Sequence, residues 1–260
     1  MIKRKTIRTL TTFLCLLLLA AVLAGCGKKG PVRPLRQPVP AAVEEFSLRQ
    51  QGDRMLLVWT LPRQNEDGTP LTDLAGFRIY RGTFEAGDDC PECLETPKVW
   101  RLVDLEYLRS VQRVGDRFFA ADPGLQPGQG YQYRIIPFNR WGQDGKPVLQ
   151  RQVLAEPPPA PAEVAAEDKD GALLVTWQPA PSLPEGMEML GYNVYRRRPG
   201  RAFPPAPLNL KPIAETRFED RDFAAGRTYM YAIRTVVRQD GRVLESRLSD
   251  VAAAFSYSGE

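Results

Sequence analysis

The feature that most constrains this chain is an internal repeat. Met55-Leu56-Leu57-Val58-Trp59 is echoed by Leu173-Leu174-Val175-Thr176-Trp177, each a strand-like run that ends in Trp and enters a Pro-containing turn. Gly76-Phe77-Arg78-Ile79-Tyr80-Arg81 is echoed by Gly191-Tyr192-Asn193-Val194-Tyr195-Arg196. Alternation there sets Phe77 and Ile79 on one face and Arg78 and Tyr80 on the other, the period of a half-buried strand. A third pair of segments leads into Tyr131-Gln132-Tyr133 and Tyr229-Met230-Tyr231. In each, an apolar residue lies six positions before the first tyrosine and a Gly three before it. The chain therefore reads as all-β, built from two copies of one module.

These landmarks resemble the fibronectin type III family: a Trp on strand B, a Gly-Tyr-x-Val-Tyr-like strand C, and a Leu-x-Pro-Gly-x-x-Tyr approach to strand F. The resemblance implies two tandem immunoglobulin-like β-sandwiches, residues 41–155 and 161–258. It makes Trp59 and Trp177 core residues, with Tyr131 and Tyr229 tying the preceding turn to the backbone. Residues 156–160, Glu-Pro-Pro-Pro-Ala, separate the copies. Three consecutive prolines cannot feed a central strand and favour a stiff, extended joint that sets the modules end to end.

The copies differ in length. From the strand C Gly to the first strand F tyrosine the first copy is 17 residues longer. The surplus holds Cys90-Pro91-Glu92-Cys93 among acidic residues, then the mixed run from Trp100 to Val111. Inserted loops are where a repeated scaffold acquires a specific role. A Cys-x-x-Cys pair in an exported protein reads first as a structural disulfide between Cys90 and Cys93. Free thiols, half of a metal site and a redox pair remain open. The metal reading lacks further Cys or His ligands, and the redox reading lacks the strand-to-helix setting that lowers a thiol pKa. Trp100 and Trp141 are candidate binding-surface aromatics. Arg196-Arg197-Arg198 reads as a solvated turn or an anion contact, and Asn65-Glu66-Asp67-Gly68 as a turn rather than a calcium loop.

The N-terminus has a different character. Lys3, Arg4, Lys5 and Arg8 precede an apolar stretch from Leu10 to Leu23, the pattern of an export signal. The stretch falls short of the roughly 20 residues usual for a span. It ends in Leu23-Ala24-Gly25-Cys26, which resembles the lipobox of bacterial lipoproteins. That resemblance implies a signal peptide over 1–25, lipidation of Cys26, and a mature chain anchored in the cell envelope. Gly27 in place of Asp implies the outer membrane of a Gram-negative bacterium. Residues 26–40 carry four prolines among polar residues and read as a semi-rigid tether.

Charge and composition exclude more than they assign. The formal charge is +4, and the four basic residues of the signal account for all of it, so the body offers no broad footprint for nucleic acid. With no His in 260 residues, Ser-His-Asp, Cys-His and His-metal constellations are excluded. No catalytic residues, metal site or cofactor are expected. The expected role is a membrane-anchored module that binds another envelope protein noncovalently or serves as a scaffold. A carbohydrate- or surface-polymer-binding accessory is the alternative, and an enzyme with an unrecognised site the weaker third.

Overall fold

Two separate hydrophobic cores organise the computed structural model, which describes residues 37–87, 98–109 and 111–257. In the first repeat β2 (Arg54–Thr60) is flanked antiparallel by β1 (Glu44–Gln51) and β6 (Arg117–Asp122), and β5 (Gln112–Val114) extends the sheet beyond β6. A second, antiparallel sheet has the order β4 (Lys98–Asp104), β3 (Leu74–Phe84), β7 (Gly130–Asn139) and β8 (Val148–Val153). Met55, Leu57, Trp59 and Phe118 from one sheet meet Phe77, Ile79, Tyr133 and Ile135 from the other. Trp59 stacks on Phe118 and meets Phe77 edge-on, both at 5.6 Å between centroids. Each such aromatic pair contributes about 0.5–1.5 kcal/mol beyond its area burial. β2 is buried on both faces, because Leu56 and Val58 form a smaller cluster with Phe119 on the opposite side of the sheet.

The second repeat uses β9 (Ala162–Lys169), β10 (Ala172–Gln178) and β12 (Arg217–Asp220) as one sheet. Opposite lie β11 (Glu188–Arg197) and β13 (Arg227–Gln239), with β14 (Arg242–Glu245) and β15 (Ala252–Ser256) both pairing with β13. Leu173, Val175 and Trp177 pack there against Tyr192, Val194, Tyr231 and Ile233. Where the first repeat covers the edge of β3 with a strand, β4, the second covers the edge of β11 with a loop. Asn209 accepts from the Val194 N–H at 2.8 Å and donates to the Tyr192 carbonyl at 3.1 Å, satisfying backbone groups that a neighbouring strand would otherwise take. The run from Trp100 to Arg109 completes β4 and the bend that follows it.

The repeats share a sheet. β14 pairs in parallel with the last residues of β1, Gln50 opposite Leu244 and Gln51 opposite Glu245, so one path runs β11-β13-β14-β1-β2-β6-β5. The turn after β1 closes the contact, with the Gly52 N–H donating to the Glu245 carbonyl at 2.8 Å. Gly52 has φ of +64°, and a Cβ there would lie 2.8 Å from Cγ of Arg247, so a side chain would be strained by both backbone and neighbour. Segment 156–160 carries no strand. Its approach is clamped by Gln50, which accepts from the Ala155 N–H at 3.0 Å and donates to the Ala155 carbonyl at 2.7 Å.

Candidate functional site

The junction between the repeats is a buried polar hub. Gln51 is 2% exposed and donates from Nε2 to the Tyr195 hydroxyl at 3.1 Å, to Glu245 Oε2 at 3.3 Å and to the Pro205 carbonyl at 3.3 Å. Tyr195 donates to Glu245 Oε2 at 2.6 Å, and Asn193 donates to Glu245 Oε1 at 3.1 Å. Two guanidiniums attend this one carboxylate. Arg234 approaches Glu245 to 3.7 Å and donates to the Ser246 carbonyl, while Arg54 donates to Gln51. Burial, together with the like charge of Arg54, pushes Arg234 down to about 10. Burial and the Glu245 carboxylate push the Tyr195 hydroxyl well above the ordinary range. Tyr195 is at 0% exposure within the hub, whereas Tyr80 at the matching position of the first repeat is half-buried.

A second polar device occurs once in each repeat. Tyr133 donates to Asp122 at 2.8 Å and Arg81 reaches both oxygens of that carboxylate at 3.1 Å. Tyr231 donates to Asp220 at 2.6 Å, and Arg196 pairs with the same oxygen at 2.6 Å. Burial, with the adjoining carboxylate, raises both tyrosines far above their ordinary range. Neighbouring tyrosines tie turns: the Tyr131 hydroxyl accepts from the Gln126 N–H and the Tyr229 hydroxyl from the Ala224 N–H, each at 3.0 Å. These ionisable groups are consumed by structural partners.

The other candidate residues are dispersed. Trp59 and Trp177 lie in the two cores at 0% and 4% exposure. Trp100 is half-buried, its ring edge-on to Tyr133 at 5.9 Å and covered by the Arg101 guanidinium at 4.1 Å. Trp141 stands 63% exposed in the turn after β7. Arg196 is tied to Asp220 and to the Asp222 carbonyl, Arg197 lies over Phe203, and their cleft of about 490 Å³ also admits Asp222. The 65–68 turn closes on itself, with Asp67 accepting from the Thr69 N–H and hydroxyl. Among the described residues no group of three or more His, Cys, Asp or Glu could hold a metal, and no helix is long and apolar enough to cross a membrane. The signal segment 1–25, Cys26, Cys90 and Cys93 lie outside the described residues.

Sequence reasoning missed the hub. Its signal was present in Arg234-Thr235, a polar pair inside the apolar run from Tyr231 to Val237, and in the Gln50-Gln51 pair ending β1. A charge inside a strand that is otherwise core must have a partner.

No family model matches the chain. Among solved structures, the chain is similar to a Fn3-like protein from Clostridium thermocellum, at 24% identity and TM-score 0.31, over 40% of this chain and 97% of that one. It is also similar to the FN1-FN3 domains of chicken CNTN1, at 16% identity and TM-score 0.28, over 85% of this chain and 68% of that one. Both are distant likenesses to all-β modules.

Proposed function

We propose that this chain is a lipid-anchored envelope protein in which two tandem fibronectin type III modules are locked together to bind another envelope protein noncovalently. The observation that carries the reading is the shared sheet and its hub, from Gln51 to Glu245. A partner meeting two modules already fixed in spacing and orientation does not have to order them, and that saving appears as affinity. The N-terminal sequence supports the anchor: a basic start, an apolar stretch and Leu23-Ala24-Gly25-Cys26, followed by a proline-rich tether that would hold the modules off the lipid surface. Several acyl chains on Cys26 would hold the protein firmly, at about 0.8 kcal/mol per buried methylene.

The test is intact mass and partner capture after crosslinking in the native envelope, comparing wild type with Cys26→Ala. A lipidated product of 235 residues that captures one protein reproducibly, with both lipid and partner lost in the variant, supports the reading. An unlipidated product, or no reproducible partner, overturns it.

A carbohydrate-binding role has one observation in its favour, the exposed indole of Trp141. Retention of the wild type but not of Trp141→Ala on envelope polysaccharide would be its signature.

A further inference from the structure

The last strand of the second repeat, β15, and the residues beside it alternate without a break. Ala254 and Ser256 are buried and Ala252 is half-buried, whereas Val251, Ala253, Phe255 and Tyr257 face solvent. Val251, Phe255 and Tyr257 are 43%, 45% and 70% exposed, and the Phe255 and Tyr257 rings meet edge-on at 5.1 Å. One flank of β15 pairs with β13, and the other has no ladder partner among the described residues. The Tyr257 N–H donates to Asp168 of β9 at 2.6 Å, which ties down the end of the strand and leaves the open stretch over residues 251–256.

The matching strand of the first repeat shows how such an edge is guarded. Among the described residues β8 also pairs on one flank only, with β7. By register, Arg151 opposite Gln132 takes the place of Ala253 opposite Met230, and Gln150 and Gln152 take those of Ala252 and Ala254. Arg151 lies across the Phe84 ring at 3.9 Å. A charge on an edge strand opposes pairing with another chain. From Val251 to Tyr257 the second repeat carries neither a charge nor an amide side chain.

The order of residues on β15 selects the occupant. Laid antiparallel on a second β15 about a twofold axis at Ala253, every outward residue meets an outward one: Val251 faces Phe255, Ala253 faces Ala253, and Phe255 faces Val251. Aromatic and β-branched side chains are a favourable cross-strand pair, and this register makes that pair twice. On the inner side Ala252 faces Ala254, and at the ends Asp250 faces Ser256, so no like charges oppose each other. The same operation on β8 would set Arg151 against Arg151, which is destabilising.

We propose that β15 pairs antiparallel with β15 of a second copy of this chain, joining the two sheets across a twofold axis at Ala253. Such a contact uses the same patch on both copies and closes on itself. It is short, so holding both chains on one lipid surface would raise its occupancy through effective concentration. The first repeat lies beyond the far end of β13, where β14 meets β1, and the twofold reverses the strands. The two first repeats therefore extend in opposite directions from the pair. This self-association goes beyond the reading above, which concerns a different protein.

The test is disulfide crosslinking of single-cysteine additions to the full chain in its native envelope, with wild type, which keeps Cys90 and Cys93, as the background. Facing residues of an antiparallel pair have Cα atoms about 4.5–5.5 Å apart, within disulfide reach. Ala253→Cys should therefore give a product of twice the mass. Val251→Cys should not, because its symmetry mate lies about 13 Å along the strand, but Val251→Cys mixed with Phe255→Cys should. Adding Phe255→Glu to Ala253→Cys sets a charge against Val251 of the other copy and should lower the yield roughly tenfold or more. Phe255 is exposed, so its melting point should stay near wild type, and Val251→Glu serves as a second variant with the same expectation. No product from Ala253→Cys above wild type, equal crosslinking by Val251→Cys alone, or a yield unaltered by both charged variants would overturn the proposal. The same variants purified in neutral detergent at increasing concentration keep this result separate from the anchor. A dimer there without lipid on Cys26 would uphold the pairing and remove the anchored reading, and capture of another envelope protein without the crosslink would do the reverse.

Discussion

The Gln51 amide donates to the Tyr195 hydroxyl at 3.1 Å across 144 residues of sequence, and that hydroxyl in turn donates to Glu245 at 2.6 Å. One side chain of the first repeat therefore completes a hydrogen-bond chain whose other members belong to the second. Tyr195→Phe deletes the middle link and leaves Glu245 with one fewer donor in a buried setting. The expected loss is about 1–3 kcal/mol, read as a lower urea midpoint. Tyr80→Phe alters the matching position of the first repeat, which is half-buried and makes no such bridge. Its cost should stay within about 0.5 kcal/mol. Equal costs at the two positions would mean that the bridge contributes nothing.

Among the described residues Glu245 is the sole carboxylate bonded within the hub, and Arg234 beside it has a side chain only 4% exposed. Glu245→Ala leaves that buried charge, and Arg54 near it, with only the weaker influence of Asp53 to compensate them. Breaking a buried pair in this way costs about 3–5 kcal/mol. Each repeat retains its own core, so the loss should appear as uncoupling. Calorimetry should show one transition for the wild type and two resolved transitions for Glu245→Ala. A single transition at the wild-type temperature would show that the repeats do not stabilise one another through this residue.

Alkaline pH tests the buried phenols. Tyr133, Tyr195 and Tyr231 are raised above the ordinary tyrosine value by burial and by a neighbouring carboxylate. Their unfolded value is about 10. Above that pH the unfolded chain has released these protons while the folded chain keeps them, so stability is full below about pH 10 and falls as pH rises further. Arg234, pushed down to about 10, acts with the opposite sign: its burial is costly at neutral pH and becomes less so as pH rises above that value. Burial lowers Arg54 and Arg101 in the same sense but by less, so the three strongly raised phenols leave a net loss. The phenolate absorbance of Tyr133, Tyr195 and Tyr231 should appear in one step with unfolding. Smooth titration of all nine tyrosines without unfolding would contradict the assignment.

The parts of this molecule that were legible in sequence, and those that were not, differ in the range of the interaction. Trp59, Trp177 and the two tyrosine pairs announce themselves because a buried ring needs a fixed local setting: a strand that alternates, a turn at a fixed offset. That setting is copied whole in each repeat. The hub has no local setting. Gln51 and Glu245 are ordinary surface types at strand ends, joined by a two-residue parallel bridge that no periodicity encodes. Trp100 fell between these cases. Its indole resembled an exposed platform in sequence, but β4 turns it toward Tyr133, and the next residue, Arg101, covers it.

Gly52 offers the sharpest test of how closely the repeats are fitted. Its φ of +64° lies in the left-handed region, where an L residue costs about 1–2 kcal/mol. Gly124, with φ of +70°, carries the same backbone cost, but nothing lies within 4 Å of where its Cβ would be. At Gly52 the added Cβ would also meet Arg247, at 2.8 Å from Cγ and 3.1 Å from Cα. Gly124→Ala therefore measures the backbone cost alone, while Gly52→Ala measures that cost plus the strain of forcing the β1–β2 turn away from the segment after β14. Gly52→Ala should be the more destabilising of the two in urea. Removing Cγ by Arg247→Ala should recover part of the difference, while the contact to Cα keeps the recovery incomplete. Equal effects of the two glycine substitutions, with no rescue by Arg247→Ala, would show that this turn does not bear on the second repeat.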